Sequence, residues 1–180
     1  MKFDVSNLKG NFAIASPIML DDRFKEAIIL LCDVKLINTY GFIVNQDEVL
    51  NKFKKNLKNT IFKDTKVYYG GPVAENRLFI IHSSDVQWSE SLKITEEIYV
   101  TNFDDAIKKE KALPKNYLIV AGYTNWQGGQ IEREIVMGFW NFLINENDLI
   151  FSNSKTRKWQ SCMQKLNLNA NTFYNHNGNS

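Results

Sequence analysis

The run Ala121–Ile135, AGYTNWQGGQIEREI, sets two aromatic residues and a glycine pair just ahead of what reads as the first turn of a helix. Three chemistries are open to it. Gly128 and Gly129 before a helix could turn backbone N–H groups toward an anion, with Gln130 opening that helix beside them. The same pair also reads as a tight strand-to-helix turn, and the acids Glu132 and Glu134 in the first turn would repel a phosphate. Tyr123 and Trp126 could stack on a base or nucleotide ring, or pack the loop against a sheet. Glu132 could act as a general acid or base. With a helix carried from Gln130 to Asn145, Ile131, Ile135, Phe139, Phe142 and Leu143 share one face. Glu132 falls on that apolar face, whereas Arg133, Glu134 and Asn141 fall outside it. A carboxylate aimed at a core must be paired, hydrogen-bonded or protonated. The structural alternative is therefore that Glu132 accepts bonds from the GYTNW loop and locks its shape.

His82 is the partner such an acid would need. It follows LFII at a strand end, and it is the one histidine ahead of the Asn-rich tail. It reads as a base paired with Glu132, a proton switch, or a hydrogen-bonded core histidine. Ser83 makes no nucleophile with it, because neighbouring strand residues point to opposite faces. A single histidine and two cysteines without a C-x-x-C spacing give no metal set and no redox pair. Cys32 and Cys162 read as buried apolar thiols. The turn Gly70-Gly71-Pro72 completes the candidate surface. No phosphate-loop, dinucleotide or zincin motif is present, so no cofactor or metal is expected. The basic runs KFKKNLK and KTRKW are interrupted by apolar positions and read as solvated helix faces.

The elements that must hold these residues follow from apolar spacing and breakers. Strands are expected at NFAIAS, EAIILLCD and YGFIVNQ. A helix capped by Asp47 is expected from Glu48 to Leu57. TKVYYGGP and NRLFIIHS read as a hairpin pair, and SLKIT and EIYVT as short strands. NFDDAIKKE is a short helix with Asn102 at its cap, and NYLIVAGYT an apolar strand. DLIFS reads as a last strand, and KTRKWQSCMQKL as a last helix capped by Ser154. Interspersed helices and early strands favour a mixed α+β sheet over a doubly wound parallel one.

Several segments together resemble the AlgH/YqgE family of bacterial proteins: FAIASPIMLDDRFKEAIILLCD, YGFIVNQ, VYYGGPVAENRLFIIHS, SLKIT, AGYTNWQGGQIEREIVMGFW and LIFSNSKTRKWQSCMQKLNLN. They occur in the family's order between about residues 8 and 169. The resemblance implies an α+β fold in which a bent, bifurcated sheet forms a pseudo-barrel flanked by helices. It implies a cytosolic protein of a family often labelled a transcriptional regulator, and it carries over no catalytic residue. Two departures stand out. Asn45-Gln46-Asp47 replaces the family's usual N-R-P and removes an arginine. Only NHNG, with His176, stands near a terminal G-H-A-like stretch.

A chain of 180 residues suits one domain, expected over 1–170, with an Asn-rich tail over 171–180. Lys and Arg number 22 against 20 Asp and Glu, and a net charge of +2 is too small to argue for a polyanionic partner. No apolar run approaches the ~20 residues that cross a bilayer, and MKFDVSNLKGNF lacks the apolar stretch of a signal peptide. The expectation is a cytoplasmic, non-enzymatic module that binds a protein partner or small ligand. A hydrolase-like enzyme using Glu132 and His82 is the alternative, and direct nucleic-acid binding ranks third.

Overall fold

The computed structural model describes residues 8–35, 37–108, 112–144, 146–151 and 157–166. Nine strands make one sheet: β1 (Phe12–Ala15), β2 (Ile28–Val34), β3 (Asn38–Ile43), β4 (Val67–Tyr69), β5 (Val73–Ser83), β6 (Leu92–Lys93), β7 (Ile98–Asn102), β8 (Tyr117–Gln127) and β9 (Trp140–Leu143). Five α-helices accompany them: α1 (Leu50–Leu57), α2 (Phe103–Lys108), α3 (Gln130–Val136), α4 (Asp148–Phe151) and α5 (Lys158–Lys165). The order β6-β7-β5-β8-β3-β2-β1-β9 is antiparallel throughout, and β4 adds to β8 in parallel.

The sheet forks at the middle of β8. Its first half, Tyr117–Ala121, pairs with β5 on one edge and, over Ile119–Ala121, with β4 on the other. Its second half, Thr124–Gln127, pairs with β3. Gly122 lies between, with φ +75°. There the backbones nearly touch: a Cβ on Gly122 would lie 2.2 Å from the Gly71 oxygen, and one on Gly71 would lie 2.3 Å from the Tyr123 carbonyl. Gly70 ties the branches together. Its N–H donates to Ala121 O and its own carbonyl accepts from Ile43 N. The glycines of GGP and AGYTNW are thus the fork that lets one sheet curl into a half-barrel.

Strand alternation then builds three cores. Phe12, Ile14, Ile28, Leu30 and Val120 face into the curl, where Leu149, Ile150, Trp159, Cys162 and Met163 of α4 and α5 close it. The intervening Ala13, Ala15, Ile29 and Leu31 face outward under α3, with Trp126 and Trp140. On the other branch, Leu78, Ile80, Ile119 and Ala121 meet α1 and α2 through Phe53, Leu57 and Phe103. This is the expected α+β pseudo-barrel.

Several expected elements are corrected. The helix from Gln130 stops at Val136, because Gly138 adopts φ +77°, and Trp140–Leu143 then pairs with β1 as β9. The helical spacing of Phe139, Phe142 and Leu143 arose from a residue just ahead of β9 and two neighbours on it that face opposite cores. Of the expected strand DLIFS, Asp148–Phe151 is helical, with Leu149 N and Ile150 N bonded to Glu146 O and Asn147 O. β4 and β5 form no hairpin, since β8 lies between them. Asp47 does not cap α1: its carbonyl accepts from Tyr69 N, Glu48 bridges Tyr68, and Val49 takes the cap position without a side-chain bond. Asn102 caps α2 as expected, accepting from Asp104 N at 3.2 Å. Both cysteines are buried free thiols. Ser154, His176 and the tail 171–180 lie outside the described residues.

Candidate functional site

The segment GYTNWQGGQIE runs from the fork to α3. β8 ends at Gln127, and Gly129 takes the helix N-cap with φ +70°, so the glycine pair forms the turn. Gln130 folds back, its Oε1 accepting from Gln127 N at 3.2 Å. The centre of the cluster is Glu134. Its Oε2 accepts from the indole N–H of Trp126 at 2.9 Å and of Trp140 at 2.6 Å, and its Oε1 accepts from Gln130 Nε2 at 2.7 Å. The two indoles meet edge to face, 5.6 Å between centroids. Phe24 packs edge to face with Trp140, 5.9 Å between centroids.

The locking role expected of Glu132 thus belongs to Glu134. The shift follows from the helix boundary: once α3 stops, Trp140 leaves the helix and returns on a strand, within reach of Glu134. One signal could have found this, a carboxylate bracketed by two tryptophans with a glycine between it and the second. Glu132 is half-buried, and its Oε2 is buried without a hydrogen-bond partner.

A cleft of about 330 Å³ opens against this cluster. Arg23 and Phe24, Pro72, Asn125, Trp126 and Glu134 are among its walls. Arg23 is committed to Asp21 through bonds of 2.6 Å and 3.0 Å, and the guanidinium holds the Asp21 carboxyl below its ordinary range. The Oδ1 of Asn125 is different, being buried without a partner. Pro72 and the loop residues do meet here, so two of the three expected segments converge.

The third does not. His82 is fully buried, with Nε2 at 2.9 Å from Thr101 Oγ1 and Nδ1 at 3.0 Å from Ser83 O. A carbonyl can only accept, so Nδ1 carries the proton and Nε2 accepts from Thr101. Thr101 in turn bonds Ser91 Oγ at 2.8 Å, and Ser91 accepts from Trp88 N at 2.9 Å. Burial pushes the imidazole pKa down, so it is neutral at pH 7. His82 pairs in register with Tyr117, at the opposite end of β8 from α3. At ~3.3 Å per residue, the strand from Tyr117 to Gln127 covers roughly 30 Å of contour. His82 and Glu132 therefore form no acid–base pair.

The remaining candidates are packed. Tyr123 sits against Tyr40 and Phe79, each 5.9 Å away, and Trp126 is buried. Gly70 and Gly71 are the close-approach residues of the fork. Asn45, at the departure from N-R-P, accepts from Ile28 N and donates to Glu26 O, both at 2.8 Å, which fastens the start of β2. Among the described residues, no three His, Cys, Asp or Glu side chains gather as metal ligands. No described helix is long and apolar enough to cross a membrane.

The comparisons agree with this architecture. A UPF0301 protein of Vibrio vulnificus is 30% identical over 97% of this chain and its own full length. One of Yersinia pseudotuberculosis is 30% identical over 91% of the chain and 94% of its own length. The solution structure of the AlgH protein from Pseudomonas aeruginosa superposes with a TM-score of 0.73 at 23% identity, covering 97% of each chain. A Corynebacterium diphtheriae protein, DIP2367, superposes with a TM-score of 0.70 at 19% identity, covering 87% of this chain and 85% of its own. With residues 12–171 matching the DUF179 AlgH-like family, the chain belongs to that family.

Proposed function

We propose that the chain is a non-enzymatic binding module, of regulatory use to its cell, that takes a small ligand or a short segment of a partner protein in the cleft between Pro72, Arg23 and the GYTNWQGGQIE loop. The observation that carries this reading is the state of the polar groups on that cleft. Glu134 and Arg23 are spent on neighbours, which leaves no base beside a nucleophile. Asn125 Oδ1 remains a buried acceptor in want of a donor. An apolar wall from Met19, Phe24 and Phe139 with one unpaired acceptor suits a compact ligand bearing an N–H or O–H group. The two buried free thiols suit a reducing compartment, and a cytoplasmic site of action is part of the reading.

The test is protein-observed NMR with a library of small amides, amines and short peptides. Binding should move the Trp126 and Trp140 indole N–H resonances and the Asn125 side-chain amide, and Asn125→Leu should weaken it at least tenfold. Ligands that bind while leaving those resonances still would overturn the reading. Turnover of a substrate abolished by Glu132→Gln in a folded protein would replace it with the enzyme. Direct nucleic-acid binding remains the lesser reading at a net charge of +2, and it predicts an affinity that falls steeply with salt.

A further inference from the structure

A second cleft, of about 300 Å³, lies on the other branch of the molecule, between the β4–β8 edge and the start of α5. Its walls include Thr65, Tyr68 and Tyr117, the carbonyl end of α4 at Ile150 and Phe151, and Lys158. Lys158 is 4% exposed. Its ammonium has a single bond among the described residues, to Ile150 O at 3.3 Å. No carboxylate of the described residues pairs with it. Asp64 stands at the exposed rim of the cleft, and Lys66 is taken up by Glu48 at 3.0 Å.

The helix that carries Lys158 adds a second, independent deficit of negative charge. α5 starts at Lys158 behind an Arg157 N-cap that makes no side-chain capping bond, and its first turn holds no acid. A helix start carries partial positive charge and is ordinarily relieved by Asp, Glu or a capping oxygen. Here two cations stand where an anion belongs. A buried ammonium without a counter-charge costs folding energy that natural sequences seldom leave unrelieved. The hydroxyls of Thr65 and Tyr117 share the cleft, bonded to each other at 3.0 Å, which leaves one hydroxyl hydrogen of the pair to donate.

We propose that this cleft binds a small oxyanion-bearing molecule, whose carboxylate or phosphate group pairs with the Lys158 ammonium near the start of α5 and accepts from the one hydroxyl hydrogen that the Thr65–Tyr117 pair leaves free. The cleft accommodates more than a bare ion, so the anion is the head of a compact metabolite-sized body, with Ile119, Ile150 and Phe151 lying against its apolar part. Burial has pushed the Lys158 amine down to about 8, which keeps it cationic at neutral pH while bringing its loss of charge within easy reach. Bound anion should restore the ordinary, higher value. Asp64, Lys66, Tyr68, Tyr117 and Cys162 are the other titratable groups around it.

The experiment follows the side-chain resonances of lysine-labelled full-length protein during titration with inorganic phosphate and, separately, with succinate, each against sodium chloride of equal ionic strength. The Lys158 signal should move saturably with one of the two, and its titration midpoint should rise by about one unit. The arm that saturates at lower concentration identifies the head group as phosphate or carboxylate. Affinity should fall as pH rises past about 8, and Lys158→Met should lose it at least tenfold. Should Lys158→Met fail to fold, Thr65→Val provides the second variant, with an expected several-fold loss. A Lys158 signal that follows only ionic strength in both arms would overturn the proposal. So would unchanged affinity in a folded Lys158→Met, or saturation confined to surface lysines such as Lys54 and Lys55. Because this cleft and the Trp126 cleft share no wall, failure here leaves the proposed function standing, and the reverse holds.

Discussion

Glu134, half-buried, and Lys158, buried, are two charges with opposite fates. Glu134 is fully occupied by the Trp126 and Trp140 indoles and by Gln130. Glu134→Ala strands three donors, so a loss of about 2–4 kcal/mol is expected, with Glu134→Gln costing about 1–3 kcal/mol because an amide can still accept but brings a donor where donors already point. Glu132→Gln should cost less than either, since the Glu132 Oε2 has no bond to lose. Urea unfolding of the three variants checks this order, and a costlier Glu132→Gln would return the locking role to Glu132. Lys158 has the opposite balance. Its folded amine titrates near 8 against an ordinary 10.5, so the folded state binds fewer protons than the unfolded one between those values. Stability then rises with pH through that window, and below it the whole penalty is present, on the order of 3 kcal/mol from the size of the shift. Lys158→Met should therefore be more stable than the parent at pH 7, and the gap should close between about pH 8 and 10.5. The Cys162 thiol, pushed up to about 11 chiefly by burial, titrates in both proteins; Lys158 is the smallest of its causes, so most of its share is common to the two. A gap that does not change with pH would mean that packing, not charge, separates the two.

Elements depend on the fork. Gly122→Ala places a methyl 2.2 Å from the Gly71 oxygen at φ +75°, where backbone faces backbone and neither side can retreat. A loss of about 3 kcal/mol or more is expected, adding left-handed strain to a clash. Gly129→Ala meets only the end of the Arg133 side chain at 3.1 Å and should cost about 1 kcal/mol. Thermal melts of the two variants give the comparison, and equal losses would show that the fork tolerates strain. The same contrast explains what was legible. The apolar runs of β1, β2, β5 and β8 could be read because their alternation is local. The stop at Val136 could have been read from Gly138, but the apolar spacing of Phe139, Phe142 and Leu143 imitates a helix, and only pairing of β9 with β1 decides against it. The insertion of β8 between β4 and β5 leaves no local mark, since a glycine-proline turn serves a hairpin as well as a crossing. For the site, the loop and the GGP turn were visible as composition. That His82 lies a strand's length away, and that Lys158 is buried without a counter-ion among the described residues, are facts of topology. A lysine in KTRKW differs from its neighbours only once α5 is docked.

At the scale of the molecule, the curl is closed by α4 and α5, the last described elements of the chain. Trp159 is 7% exposed and its indole N–H donates to Ala15 O at 2.7 Å, reaching the first strand from the last helix. Cys162 and Met163 fill the same core beside Phe12, Ile14 and Leu30. A half-barrel without that cover would expose the inner faces of β1, β2 and β8 together. Ending the chain after Phe151 should therefore remove far more than one side chain's share, since each large buried residue contributes on the order of 1.5–3 kcal/mol and a domain's net stability is only about 5–15 kcal/mol. The expected product is a protein without a cooperative melt. Ending it after Asn171 removes Thr172–Ser180, a stretch rich in asparagine with little apolar surface, and should leave the midpoint within a degree or two. Calorimetry on both truncations decides where the domain stops. A large loss in the longer one would assign the Asn-rich segment a place in the fold and move the boundary of the domain beyond residue 170.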